Sequence, residues 1–97
     1  EARYAIAECH FKQDRLSDAE KAAFEVVNKS GSYEHWVTKA YILLGDIYFK
    51  QEDYFNAKAT YQSVMDNTKI EELRLEAEQK LKQAEEEERK NSKVEGQ

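Results

Sequence analysis

The chain has 97 residues, 40% hydrophobic and 36% charged, a mix that suits one compact domain of amphipathic helices. It has no proline and only three glycines, fewer turn-forming residues than proteins built from short strands need. The formal net charge is −5 and no basic stripe is visible, which argues against nucleic acid as a partner.

Five helices are predicted, as two helix pairs followed by one closing helix. The turns within each pair are short, so the paired helices are expected to lie antiparallel and side by side. The predicted ranges, in chain order, are 1–13 and 17–29, 33–51 and 54–66, and 69–90.

These elements predict a single all-α domain over residues 1–90, built from antiparallel helix-turn-helix repeats. Repeat 1 is residues 1–29, repeat 2 is 33–66, and 69–90 is a capping helix. Residues 91–97 are expected to form a disordered tail, because that end is almost entirely polar.

Several helix ends carry residues that favour them. Ser17 with Glu20, and Thr68 with Glu71, have the spacing of a capping box, in which hydroxyl and carboxylate each accept a bond from a free backbone N–H. The other cap residues are Asp53 and Ser32 as N-caps, and Gly31 as the left-handed residue after the second helix.

The sequence repeats itself at an offset of 38 residues. Phe11-Lys12-Gln13-Asp14 aligns with Phe49-Lys50-Gln51-Glu52, and Ala19 with Ala57. A weaker third copy appears at an offset of 37, where Ala40 and Leu44 align with Ala77 and Leu81. Such self-similarity is typical of stacked helical repeats.

The second unit carries aromatic and small residues at set intervals: Tyr41, Leu44-Gly45, Tyr48, Tyr54, Ala57, Tyr61 and Val64. In this pattern the chain resembles the tetratricopeptide repeat family, whose unit is a 34-residue helix pair stacked into an α-solenoid. The first unit has His10 and Ala23 where aromatics are usual. The proline expected after the second helix is absent, and the repeat is longer than usual.

Close packing is predicted where small residues face each other. Gly45 precedes Ala57, and Ala7 precedes Ala19, by the same 12 residues, so each pair is expected to let its two helices approach closely. Gly45→Leu or Ala57→Leu is therefore expected to cost more than about 1 kcal/mol. The predicted buried faces are Trp36, Ala40, Leu43, Leu44 and Ile47 in the third helix, and Ile70, Leu73, Ala77, Leu81 and Ala84 in the last.

The resemblance implies that first-of-pair helices line a concave surface that holds a partner peptide or helix. Carried over by position, this surface consists of Tyr4, Glu8, Phe11, Lys12, Lys39, Ile42, Asp46, Phe49 and Lys50. Phe11 and Phe49 could instead be ordinary packing between repeats, and packing is the favoured interpretation. The clamp that binds acidic chaperone tails is broken here, with Glu76 and Lys80 at its third-helix positions, so that ligand is disfavoured.

No arrangement of residues predicts catalysis, a cofactor or a metal site. Cys9 and His10 are neighbours on one helix, point about 100° apart and have no third ligand nearby. Cys9 is expected to be a small buried residue and His10 a core residue in the place of Tyr48. His35 and Trp36 are expected to pack under the link between repeats. No glycine-rich phosphate loop or paired nucleophile is visible.

The predicted function is a non-catalytic protein-interaction scaffold, in the C-terminal part of a longer bacterial repeat protein. The alternative is a self-association unit that forms homodimers through the open face of the first helix. No segment is long and apolar enough to insert into a membrane. The repeats also resemble those of bacterial cell-envelope assembly proteins, including the Tol-Pal coordinator class, which implies the periplasm or envelope. The single cysteine is equally compatible with the cytoplasm.

Overall fold

The computed structural model describes residues 2–29 and 34–96, with side chains over 3–28 and 34–91. Across these residues the chain is all-α and contains no strand, which confirms the predicted fold class. The five helices are α1 (Ala2–Lys12), α2 (Leu16–Lys29), α3 (Glu34–Lys50), α4 (Tyr54–Asn67) and α5 (Glu71–Gly96).

Helix ends lie within about two residues of the predicted ones, except at the end of α5. The structure is helical over 91–96, where the sequence predicted a disordered tail. No glycine or proline interrupts this stretch before Gly96, and Lys90 lies 3.7 Å from Glu87 one turn earlier. Gly31, Ser32 and Gln97 lie outside the described residues, so the caps predicted at the first two are not described.

The turns inside the two helix pairs have the same hydrogen bonds at the offset of 38. The N–H of Arg15 donates to His10 and that of Asp14 to Phe11, at 2.9 and 3.0 Å. Their equivalents, Asp53 to Tyr48 and Glu52 to Phe49, are both 2.9 Å. Asp14 and Glu52 adopt left-handed φ values of 65° and 63°. This pattern is the Schellman motif, so the sequence repeat corresponds to a repeat in backbone geometry.

Of the predicted helix starts that lie within the described residues, only Asp53 acts as expected: its carboxylate accepts from the N–H of Asn56 at 3.3 Å. The capping box at Ser17 is wrong, because α2 begins at Leu16 and the first helical bond is accepted by the carbonyl of Arg15. The capping box at Thr68 is also wrong. Thr68 is the C-cap of α4, directly after its last residue, and its hydroxyl accepts from the N–H of Ile70.

Each helix packs on the next one along the chain, and α3 also contacts both α1 and α5. The core has two clusters, one between the first helix pair and α3, the other between the second pair and α5. Helix α3 contributes to both, which explains why it is apolar almost all round. The predicted buried residues Ala40, Leu43, Leu44 and Ile47 are buried, whereas Trp36 is half-buried.

Gly45 packs against an aromatic ring. A Cβ added at Gly45 would lie 2.8 Å from Cδ1 and 2.9 Å from Cζ of Tyr61, with Cε1 closer still. The nearest side chain is thus Tyr61, one helical turn beyond the Ala57 that the sequence predicted. At the offset of 38, Gly45 and Tyr61 correspond to Ala7 and Ala23, both fully buried. The two units therefore fill the same space differently, one with two alanines and one with a glycine and a ring.

Helix α5 covers the second pair with one narrow apolar stripe, as predicted. Leu73, Ala77 and Ala84 are buried, and Ile70 and Leu81 pack around them. Its acidic end is also attached to the stack, since Glu88 accepts from Lys58 of α4 at 2.5 Å. Within the described part of the chain, no helix combines the length and the apolar character needed to cross a membrane.

Candidate functional site

Three helices, α1, α3 and α5, each turn one face toward a continuous groove that contains two adjoining clefts. The first cleft has a volume of about 230 Å³ and is lined by Tyr4, Glu8, Phe11, Lys12, Lys39, Ile42, Leu43, Asp46, Glu76 and Lys80. The second has a volume of about 500 Å³ and is lined by Phe11, Asp46, Phe49, Lys50, Glu52, Tyr54, Tyr61, Lys80 and Gln83. Phe11, Asp46 and Lys80 belong to both clefts.

The helical period explains why these side chains share one face. On each of α1, α3 and α5, every groove residue has another groove residue three or four positions away. All nine residues predicted from the sequence line one or both clefts. Ile42, however, is only 3% exposed and belongs to the core cluster with Tyr61, so it offers a partner little surface.

Phe11 and Phe49 take part in packing and also line the groove. Both rings are half-buried, Phe11 against the first core cluster and Phe49 against the second. Phe49 meets Tyr54 edge to face at 5.5 Å between ring centroids. The two interpretations of these rings are therefore compatible, because one side of each ring packs inward while the other faces the cleft.

Two lysines of α3 lie over aromatic rings of α1. The Lys39 ammonium is 5.3 Å from the centroid of Tyr4, and the Lys50 ammonium is 5.4 Å from that of Phe11. Both distances are in the range of cation–π attraction. Tyr4 also contacts Trp36 of α3, with 5.6 Å between the ring centroids.

Asp46 lines both clefts, and its carboxylate interacts with side chains of α4 and α5. Its carboxylate accepts from the Tyr61 hydroxyl at 2.5 Å and from the Lys80 ammonium at 2.8 Å. Lys80 also lies 3.3 Å from Glu76. Burial raises the pKa of Asp46, and this effect outweighs the opposing attraction of Lys80. The floor of the groove is therefore a partly desolvated network of charges.

Burial, followed by nearby carboxylates, raises the pKa of two tyrosines that line the groove. Burial, followed by the charges of Glu8, Asp46 and Glu76, raises the pKa of Tyr4 to about 12. Burial and the adjacent Asp46 carboxylate also raise the pKa of Tyr61. Carboxylates from α1, α3 and α5 thus act on the same region, although these helices are distant in sequence.

The nine predicted binding residues include none from α5, although the family resemblance had placed Glu76 and Lys80 at clamp positions on that helix. Glu76, Lys80 and Gln83 line the clefts, together with residues from α4 and the turn before it. A signal for them was present in the third repeat copy. At the offset of 37, Lys39 aligns with Glu76, Leu43 with Lys80 and Asp46 with Gln83. The same groove positions therefore recur on the capping helix.

Two predictions for the first helix are wrong. Cys9 is exposed, because no described helix covers that face of α1, whereas its equivalent Ile47 is completely buried. His10 is half-buried rather than a satisfied core residue, and its Nδ1 is buried without a hydrogen-bond partner among the described atoms. Over the described residues, no group of three or more histidine, cysteine, aspartate or glutamate side chains could hold a metal ion.

A third cleft of about 370 Å³ lies between α3 and α4 and contains none of the predicted residues. Its lining includes Tyr41, which is 38% exposed, and Glu34, which accepts from the N–H of Lys69 at 3.0 Å. His35 is exposed, and its ring meets Trp36 edge-on at 4.9 Å between centroids. The link that these two were expected to cover lies outside the described residues.

The chain was compared with protein-family models, with curated proteins and with solved structures, and none of them matches it.

Proposed function

We propose that this chain is a non-catalytic interaction module of the tetratricopeptide type, which holds a partner peptide or helix in the groove of α1, α3 and α5. The observation that carries the proposal is that all nine residues chosen from the sequence line two adjoining clefts. The repeated turns at Asp14 and Glu52 support it, because they set both helix pairs in the same local geometry.

The groove offers the two kinds of surface that peptide recognition uses. Its aromatic rings supply apolar area at small entropic cost, and its charged side chains can orient a ligand. The two clefts differ in character. The second one is lined by four aromatic rings, whereas the first is lined by three carboxylates and three lysines. A ligand that spans both would need an apolar and a polar side chain in a fixed order.

Peptide selection followed by NMR mapping tests this proposal. Random 12-residue peptides displayed on phage are selected against the chain, and amide shift changes then locate each selected peptide. The groove variant Glu8→Arg with Lys39→Glu should abolish binding. The control variant Lys82→Glu with Glu86→Arg, at exposed positions of α5 outside both clefts, should bind normally. Equal binding by both variants, or no selected peptide, would show that the groove is not a binding site.

The second candidate function is self-association through α1. On the face of α1 that includes Ala5 and Cys9, Ile6 is 54% exposed, whereas its equivalent Leu44 is 2% exposed. In α3 this face is covered by the preceding helix pair, so it is suited to packing against helices. A second copy of the chain is the occupant that this function requires.

Light scattering over a range of concentrations tests self-association. If the mass rises with concentration, Ile6→Glu should abolish the rise, because a charge on this face must then be desolvated. Leu75→Glu is the matched control, since Leu75 is 47% exposed on α5. A constant monomer mass, or an equal effect of both substitutions, would contradict dimerisation through α1.

A location in the bacterial periplasm or cell envelope is a further part of the proposal. It is supported only by the resemblance of the repeats to those of envelope assembly proteins. Fractionation of cells that produce the intact protein, followed by immunoblotting, would test it.

A further inference from the structure

The helical period places four residues on one side of α1, and they form its outer face: Ala5, Ile6, Cys9 and Lys12. All four side chains are exposed. At the offset of 38, their equivalents in α3 are Leu43, Leu44, Ile47 and Lys50. The three apolar equivalents are almost completely buried. The same positions are therefore core in one unit and surface in the other.

The first helix pair covers these positions of α3. Helix α3 packs on α2 and also contacts α1. Its residues Leu43, Leu44 and Ile47 share a core cluster with Ala19 and Ala23 of α2. The small side chains on α2 let α3 approach closely. The surface that packs against this face of α3 is thus a helix pair with small residues on its second helix.

A charged contact at the edge of this interface also has its counterpart on α1. Lys50 of α3 reaches back to the first pair, where its ammonium lies 2.9 Å from Asp14 and 5.4 Å from the centroid of the Phe11 ring. Lys12 is the equivalent of Lys50, and among the described side chains no carboxylate lies within 4.0 Å of its ammonium. Helix α1 therefore presents both the apolar and the charged part of the contact that α3 makes.

A second copy of the chain cannot repeat that contact without opening its own stack. The face of the first pair that packs on α3 is occupied by α3, and the corresponding face of the second pair is occupied by α5. The side of α5 that points away from the stack is mostly charged, with Glu71, Glu72 and Lys82 exposed. The internal repeat therefore favours a helix pair whose equivalent face is free over a second copy.

We propose that the outer face of α1 is an interaction surface for a helix pair of the same repeat type, which it binds as α3 binds the first pair. Such a partner supplies small residues at the positions of Ala19 and Ala23, and an aromatic and an acidic residue at those of Phe11 and Asp14. This inference does not depend on peptide binding in the groove, and it differs from self-association in the occupant of the face.

A tandem variant tests whether the face accepts a helix pair. A copy of residues 1–38 that carries Cys9→Ser is placed directly ahead of the full chain. Because α3 begins at Glu34, the added copy ends in the first turn of a helix and leads into α1 in the register of the 38-residue repeat. Cys9 of the full chain is then the single cysteine, and the rate of its reaction with DTNB measures how far the face is covered.

The reaction of Cys9 should be at least about tenfold slower in the tandem than in the wild type, because reaction then requires local opening of the added pair. Its equivalent Ile47 is completely buried under the first pair. Ile6→Glu in the full chain should restore the wild-type rate, since it would bury a charge in the new interface. Leu75→Glu, at an exposed position of α5, is the matched control and should leave Cys9 protected.

A second tandem keeps the test decisive if the first added pair folds poorly. It places residues 39–75, the other helix pair, ahead of the full chain in the register that α5 follows at the offset of 37. At least one tandem should protect Cys9. If Cys9 reacts in both tandems as fast as in the wild type, the face does not accept a helix pair, whether or not the added helices form.

Two other results would also overturn the inference. If protection of Cys9 persists with Ile6→Glu, the added helices cover the thiol without packing on the outer face. If Cys9 of the wild type becomes protected as concentration rises and the mass doubles, the occupant is a second copy, and self-association stands instead. The groove function is unaffected by each of these results, because peptide binding tests it separately.

Discussion

Replacing Gly45 by alanine should destabilise the protein, although alanine is the better helix former. The added Cβ would lie 2.8 and 2.9 Å from two ring carbons of Tyr61. Carbon atoms pack best at about 3.5–4.0 Å, so the ring would have to retreat by about 1 Å. It has little room to do so, because it is 1% exposed and its hydroxyl is bonded to Asp46 at 2.5 Å.

The expected size of the effect combines two opposing contributions. Overpacking costs about 1–3 kcal/mol, and contacts to three ring carbons place this site in the upper half of that range. Helix propensity returns about 1 kcal/mol on replacing glycine by alanine. The net loss in unfolding free energy should therefore be about 1–2 kcal/mol.

A double-mutant cycle separates the two contributions. In a Tyr61→Leu background the ring is gone, and Gly45→Ala should then stabilise the protein by about 1 kcal/mol. Unfolding in urea, followed by circular dichroism, gives all four free energies. The coupling between positions 45 and 61 should be about 2–3 kcal/mol. If Gly45→Ala has the same effect in both backgrounds, the packing argument is refuted.

Three further predictions concern titration and backbone strain. Because burial raises the pKa of Asp46, its contribution to stability is present below the unfolded pKa and lost as pH rises through the folded value. The unfolding free energy of the wild type should therefore fall relative to Asp46→Asn between pH 3 and 7, measured by urea titration; a constant difference would contradict this. Tyr4, whose pKa is raised to about 12, should stabilise the fold below about pH 10 and lose this contribution as pH rises toward 12. In a titration followed by absorbance at 295 nm, Tyr4→Phe should remove a tyrosine that ionises at higher pH than an ordinary one. Loss of a tyrosine that ionises near pH 10 would contradict this. Glu52→Gly should raise the melting temperature, because Glu52 has a left-handed φ of 63°. This conformation costs a non-glycine residue about 1–2 kcal/mol, which exceeds the cost of about 0.5–1 kcal/mol for ordering a more flexible glycine. Glu52→Ala keeps the backbone strain and is the control.

Ile42→Ala should act on stability, although Ile42 was selected as a groove residue. Its side chain is 3% exposed and packs in the second core cluster, so truncation should cost about 2–5 kcal/mol. Urea unfolding measures this loss. A loss below about 0.5 kcal/mol would show that the side chain is not part of the core.

The five helices and the packing face of the capping helix α5 could be predicted because their sequence signals are local. Helical periodicity gave the stripe of Leu73, Ala77 and Ala84 on α5, and the same period put the groove residues on shared faces. Helix starts were less predictable. The Schellman turn at Asp14 requires only backbone groups, so α2 starts before the serine that the capping pattern selected.

Contacts across helices were harder to predict, because they depend on shape. Gly45 and Ala57 have the right sizes to meet, yet the Tyr61 ring lies next to the glycine. The equivalents of Gly45 and Tyr61 in the first unit are Ala7 and Ala23, which are both small. A comparison of side-chain volumes at these paired positions would have indicated that the second unit combines a smaller residue with a larger one. The exposure of Cys9 depends on which helix covers α1, and sequence periodicity carries no information about that.

The groove is lined mainly by α1, α3 and α5, whereas α2 and α4 fill the space between successive layers. The separation of the lining helices is therefore set by side chains that never face the groove, such as Ala19 in α2 and Val64 in α4. A change in the size of these residues would widen or narrow the groove without altering any of its lining side chains. If the groove binds a peptide as proposed, its selectivity would therefore depend also on α2 and α4.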